Sequence, residues 1–232
     1  MHLTDEAFRQ SLLQDWKDHT KRPREIIDRL GEKLSAPMSD AALRELSALA
    51  CHVYGEHLGH WQAGTEYLER LLALHRDASS DAKFRVERQQ AVLIKAADCS
   101  RRLNDLRSSD RYYVTALAMP AATLQKSVEE GRLLYFEALE LLDELDSPES
   151  RRLFSVVTAN LVCDLLDRDA LSAGEQQFLL ILAEKSHNLW TREGDESDRR
   201  RAVFRLIQSY QACLRPENYA TGRYPRYAWI KP

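Results

Sequence analysis

Apolar residues recur along this chain at spacings of three and four, and prolines, glycines and serines fall where the recurrence breaks. Phe8, Leu12, Leu13 and Trp16 make the first stripe, behind Thr4 as a cap and with Asp5 and Glu6 in the opening turn, where carboxylates suit the helix dipole. Ile26, Ile27, Leu30 and Leu34 make a second, shorter one. Ser39 then caps a long helix whose inward stripe is Leu46, Leu49, Ala50, Val53 and Tyr54, and Gly59 ends it. Trp61 opens the return helix, with Gly64, Leu68, Leu71 and Leu72 facing back.

Beyond Ser79-Ser80-Asp81 the pattern predicts a helix carrying Val92, Ala96, Cys99, Leu103 and Leu106. A short segment from Ser108 is expected to stop at Pro120, because proline removes a helical hydrogen bond. A long helix follows through Leu124, Val128, Tyr135, Leu139 and Leu142. Ser147 before Pro148 is a cap and first-position pair, and Ser172 with Glu175 has capping-box spacing. After a break at Gly194-Asp195, the last stripe is Val203, Leu206, Ile207, Tyr210 and Cys213. No run of alternating β-branched residues reads as a strand. The pattern predicts an all-α fold of eight or nine helices, mostly antiparallel neighbours because the joints are short. Residues 1–215 are expected to form a single domain, and 216–232 a non-helical aromatic and basic tail.

Bulk properties narrow the class. The 232 residues are 44% apolar and 30% charged, with only 8 Gly and 7 Pro, as in a globular chain and unlike a turn-dense β sandwich. A formal charge of −3 gives no global attraction to phosphate backbones or anionic lipid. Cys51, Cys99, Cys163 and Cys213 are widely spaced within helical stripes, which points to reduced, packing cysteines rather than a disulfide framework. The opening MHLTDEAFRQSLLQDW lacks the apolar run of a secretory signal, and no stretch approaches a membrane span. The expectation is a soluble, cytoplasmic protein.

Residues 46–72 resemble a tetratricopeptide-repeat hairpin. Leu46, Leu49, Ala50 and Val53 match the large-large-small-large positions of that family's first helix, Gly59-His60-Trp61 matches its turn, and Gly64 with Leu68 matches its second helix. Gly59 falls two residues later than the family spacing, no proline closes the second helix, and no second copy follows at the family period. The resemblance implies antiparallel hairpins stacked as a divergent tetratricopeptide-like right-handed helical repeat or bundle. It also implies a scaffold that binds a protein or peptide partner without catalysis or cofactor.

Candidate residues follow from both readings. Tyr54, His57, His60 and Trp61 cluster at the hairpin turn as recognition residues, and Glu137, Glu140 and Glu144 form an acidic stripe suited to a basic peptide. In the tail, Tyr224, Arg226, Tyr227 and Trp229 combine aromatic and basic groups in the manner of interface anchors, either against their own domain or in self-association. The alternative is an all-α metal-binding enzyme or sensor using His52, Glu56, His57 and His60. These residues carry metal-ligating groups, but not in the HExxH order, and Gly59 separates His60 from the shared face. The chain has no P-loop, no nucleophile elbow and no dinucleotide fingerprint.

Overall fold

The computed structural model describes residues 5–214, and all regular structure among them is helical. Ten α-helices follow in order: α1 Asp5–Asp18, α2 Pro23–Lys33, α3 Asp40–His52, α4 Trp61–Leu74, α5 Ser80–Ala97, α6 Ser108–Gln125, α7 Val128–Leu145, α8 Pro148–Leu166, α9 Ala173–Glu193 and α10 Glu196–Leu214. One π-helical turn, Val53–His57, continues α3. None of the helices is long and apolar enough to cross a membrane.

The caps expected at Ser39, Ser147 and Ser172 form, and Ser79 caps α5 as well. Ser39 accepts from the Ala42 amide, Ser79 from Ala82 and Ser147 from Ser150, each meeting an amide that the first turn leaves without a helical acceptor. The Ser172 hydroxyl and Glu175 carboxylate each accept the other residue's backbone N–H, which completes the capping box.

Two compact units divide the chain, one through Glu137 and one from Ala138 onward, with the boundary inside α7. In the first unit α3, α4, α5 and α6 pack as successive neighbours, and α1 and α2 lie against α3. Phe8, Leu12, Ile26, Leu30, Leu46, Leu49 and Leu93 are buried there. The closest approach is at Gly64, where an added Cβ would fall 2.7 Å from the Tyr54 Cβ and 2.8 Å from Leu93 Cδ1. The small residue lets α4 sit down on its neighbours. In the second unit α8, α9 and α10 pack together over Phe154, Leu161, Phe178, Leu182 and Trp190.

Three expectations are corrected. Pro120 does not stop a helix; α6 runs through it to Gln125, and the chain breaks instead before Val128. Proline forfeits one N–H bond, and here the surrounding Ala116, Ala118, Met119, Ala121 and Ala122 are all buried, so packing outweighs that loss. Cys99, Leu103 and Leu106 lie beyond α5, not in it. The buried Lys95 ammonium takes over the segment, donating to the Cys99 and Arg101 carbonyls at 2.9 and 2.8 Å and to Glu137 at 2.8 Å. The described residues also form ten helices where eight or nine were expected.

Candidate metal centre

The site begins with the way α3 ends. Ser39 starts the helix in ordinary α geometry, but from Val53 to His57 the chain adopts one π turn. On a straight α-helix, residues five apart point about 140° away from each other. A π turn closes its hydrogen bonds between residues five apart and so returns the fifth residue to the same face. His52 and His57 have that separation, and their rings meet edge to face with centroids 4.8 Å apart and Nε2 atoms 3.2 Å apart.

Several contacts hold the turn in place. The Gln125 side-chain amide at the end of α6 donates to the Glu56 carbonyl at 2.6 Å. Gly59 then takes φ +62°, a left-handed conformation that glycine adopts at low cost, and the His60 amide closes back onto the Tyr54 carbonyl at 2.8 Å. The chain leaves the histidine face at that point.

The third ring comes from elsewhere. His19 lies just past the end of α1, and its centroid is 4.8 Å from that of His52 and 5.0 Å from that of His57. One donor nitrogen from each of His19, His52 and His57 lies within 4.8 Å of the other two. All three residues are half-buried. The Trp16 ring covers this group, 5.2 Å from His19 and 5.6 Å from His52, with its indole N–H donated to Glu45.

Acceptor-only partners set the tautomers. Glu56 Oε1 accepts from His52 Nδ1 at 2.6 Å, and the Trp16 backbone carbonyl accepts from His19 Nδ1. Neither partner has a proton to give, so each Nδ1 carries the hydrogen and, in the neutral ring, Nε2 carries the lone pair. Across the 3.2 Å contact His57 Nε2–H then donates to His52 Nε2. A metal ion would need only the other tautomer of His57 to meet two Nε2 donors side by side. Tetrahedral coordination with Zn–N of about 2.0–2.1 Å places neighbouring donors roughly 3.3 Å apart, close to the spacing seen here. A carboxylate that accepts from Nδ1–H turns Nε2 of the same ring toward the centre, which is how such partners orient histidine ligands in metal sites.

Of the residues the sequence nominated as ligands, His52, Glu56 and His57 come together. His60 does not: it is exposed and lines a shallow open depression with Gly59, Trp61, Gln62, Ala63 and Glu66. His19 was missed, because nothing in the local pattern ties the end of α1 to a helix so much later in the chain. Tyr54 is buried, and burial raises its phenol above the ordinary range. Trp61 is half-buried with the Lys126 ammonium 6.0 Å over its ring. Glu137 turns to Lys95 and Thr115, whereas Glu140 and Glu144 are exposed. Tyr224, Arg226, Tyr227 and Trp229 lie outside the described residues. In comparisons with known proteins the chain matches no family model, no curated protein and no solved structure.

Proposed function

We propose that this protein is a metal-responsive helical module that binds a divalent transition ion through His19, His52 and His57. The observation that carries the reading is the convergence of three imidazole nitrogens within 4.8 Å, two of them from rings whose Nδ1 faces an acceptor-only partner. An all-imidazole donor set suits zinc, copper(II), nickel or iron(II), and zinc fits best because it accepts a tetrahedral site without electronic preference. Calcium and magnesium would want oxygen donors instead. Three protein ligands leave a fourth position for water or a small exogenous ligand.

The ligands come from two separate places, the end of α1 and the α3–π segment. An ion held by all three therefore ties α1 to the hairpin that follows, and occupancy becomes a conformational constraint. This favours a sensor over a storage site. It also gives the tetratricopeptide-like hairpin reading a role: the ion would brace the end of the hairpin that carries His60 and Trp61, a surface available to a protein or peptide.

The test is titration of metal-free, untagged protein with zinc, followed by calorimetry and by tryptophan fluorescence. One ion per chain, with binding abolished in both His19→Ala and His57→Ala but retained in His60→Ala, is the expected result. Binding that survives in the His19 variant, or no binding at stoichiometric concentrations, would overturn it.

A further inference from the structure

The last described helix has its amphipathicity turned outward. On α10 the buried positions are Asp198, Ala202, Gln208, Ser209 and Ala212, which are small or polar. The large apolar side chains face solvent: Val203 is 43% exposed, Phe204 49%, Ile207 50%, Tyr210 41% and Leu214 77%. A helix that only had to pack on its own unit would place these the other way round. Scattered exposed apolar residues are ordinary, but a continuous stripe along one helix marks a contact surface.

The spacing identifies the occupant. Val203, Ile207, Tyr210 and Leu214 are separated by four, three and four residues, the alternation of a two-helix seam. That series reads the same in both directions, centred between Gln208 and Ser209. A second copy of α10 running antiparallel would therefore set Val203 against Leu214 and Ile207 against Tyr210, and a twofold axis would repeat both layers. Tyr210 is already fixed for such a contact, since its hydroxyl donates to Glu184 on α9 and holds the ring at the edge of the stripe.

Charge selects both the occupant and its direction. Arg199, Arg200, Arg201 and Arg205 crowd the first half of α10, and no charged residue occurs from Leu206 through Leu214. A strongly charged partner would find no counterpart along the second half. Glu196 pairs with Arg200 and Asp198 with Arg201, so a parallel copy would still set a net positive half, with Arg199 and Arg205, against its own kind. An antiparallel copy places each arginine cluster beside the uncharged half and the electronegative C-terminal end of the other helix. We propose that the protein self-associates as a twofold dimer through an antiparallel α10–α10 seam. The inference stands on residues that the histidine site does not use.

The area sets the strength. The five exposed side chains present on the order of 500 Å² per copy, so the seam with its flanking stems reaches only the low end of stable interfaces. The dimer should form in the micromolar range and depend on concentration. Sedimentation of the full chain between about 1 and 200 μM should show the mass rising from 26.8 kDa toward twice that value. Ile207→Glu should weaken association at least tenfold, and Ile207→Leu should preserve it; the position is 50% exposed, so folding is not at stake. For direction, in a Cys213→Ala background, an equimolar mixture of Val203→Cys and Leu214→Cys should cross-link as a heterodimer faster than either variant alone. A monomer at all concentrations would give the stripe to a different occupant and overturn the proposal, as would a dimer that persists in Ile207→Glu. Faster self-cross-linking of each single variant would overturn the antiparallel seam.

Discussion

His52 and His57 are five residues apart, and their Nε2 atoms lie 3.2 Å from each other. No α-helical register gives that contact, so the π turn from Val53 to His57 is what converts two ordinary histidines into a pair of donors. The cost of the irregular turn is met by packing and by the Gln125 side-chain bond to the Glu56 carbonyl. His19 then supplies the third donor from the end of α1.

Metal stabilisation follows from that geometry. Zinc at one hundred times its dissociation constant should add about 2.7 kcal/mol to the stability of the unit that holds it. For a chain of this size that corresponds to a rise in Tm of roughly 5–10 °C. Thermal denaturation with and without zinc would measure the rise, and chelator should reverse it. Acidification to about pH 5 should abolish the rise, because protons compete with the ion for imidazole. His57→Ala should show no zinc-dependent shift at either pH.

Glu56 acts through His52 and not on the ion. Glu56→Gln keeps the size of the side chain but replaces a charged acceptor with a neutral amide, and it should weaken zinc affinity by about 10- to 100-fold without changing stoichiometry. Calorimetry separates the two quantities. A change in stoichiometry would mean that Glu56 is itself a ligand. Because the Trp16 ring lies 5.2 and 5.6 Å from two of the rings, Trp16→Phe should remove most of the zinc-dependent fluorescence change while leaving affinity within a few-fold.

Much of the helical architecture was legible because caps and apolar stripes are local. Ser39, Ser79, Ser147 and the Ser172–Glu175 box each act within one turn of the chain, and the residues they organise are adjacent in sequence. The centre was only half legible. His52, Glu56 and His57 stand close together in sequence, but the π turn that aligns two of them inserts a single residue and leaves the apolar stripe almost unchanged. Gly59, at φ +62°, carries His60 away from the shared face, a separation that the glycine's place in the sequence already signals. His19 depends on how α1 lies against α3, a tertiary fact that no spacing encodes. Pro120 misled for a related reason: local propensity predicts a stop, and dense burial on every side of α6 overrides it.

Close packing at Gly64 makes a separate prediction. A Cβ there would come within 2.7 Å of Tyr54 and 2.8 Å of Leu93, so α4 must move or the neighbours must shift. Gly64→Ala should destabilise by about 1–3 kcal/mol despite the higher helix propensity of alanine. Urea denaturation would measure it. A neutral or stabilising outcome would show that the hairpin is looser than its packing implies.

Lys95 holds the non-helical segment after α5 through two carbonyls and Glu137, with only 2% of its side chain exposed. Lys95→Met keeps the apolar stem and deletes the donor to all three acceptors. Breaking a fully buried pair costs about 3–5 kcal/mol; here the cost should be roughly 2–3 kcal/mol, because Glu137 can regain water. Lys95→Met combined with Glu137→Gln should recover part of the loss, and a double-mutant cycle would read the coupling directly. Additive effects would show that the two groups are not coupled.

Alkaline pH tests the same region from another side. Burial, with a hydrogen bond to Glu130, pushes the Cys99 thiol up to about 12, against an ordinary value near 9. At pH 8 the folded protein therefore presents almost no thiolate at Cys99, and disulfide reagents should modify it far more slowly than in the denatured chain. The linkage has a definite sign. Between the ordinary value and about 12 the unfolded chain releases the proton while the folded chain keeps it, so stability is fully present below pH 9 and declines as pH rises through that window. The phenols of the buried Tyr67 and the half-buried Tyr113 are raised by desolvation as well and add to the decline at its upper end. Denaturation midpoints measured from pH 8 to 11 should fall less steeply in Cys99→Ala than in the parent chain. Parallel slopes would mean that Cys99 ionises as readily in the folded protein as in the unfolded one.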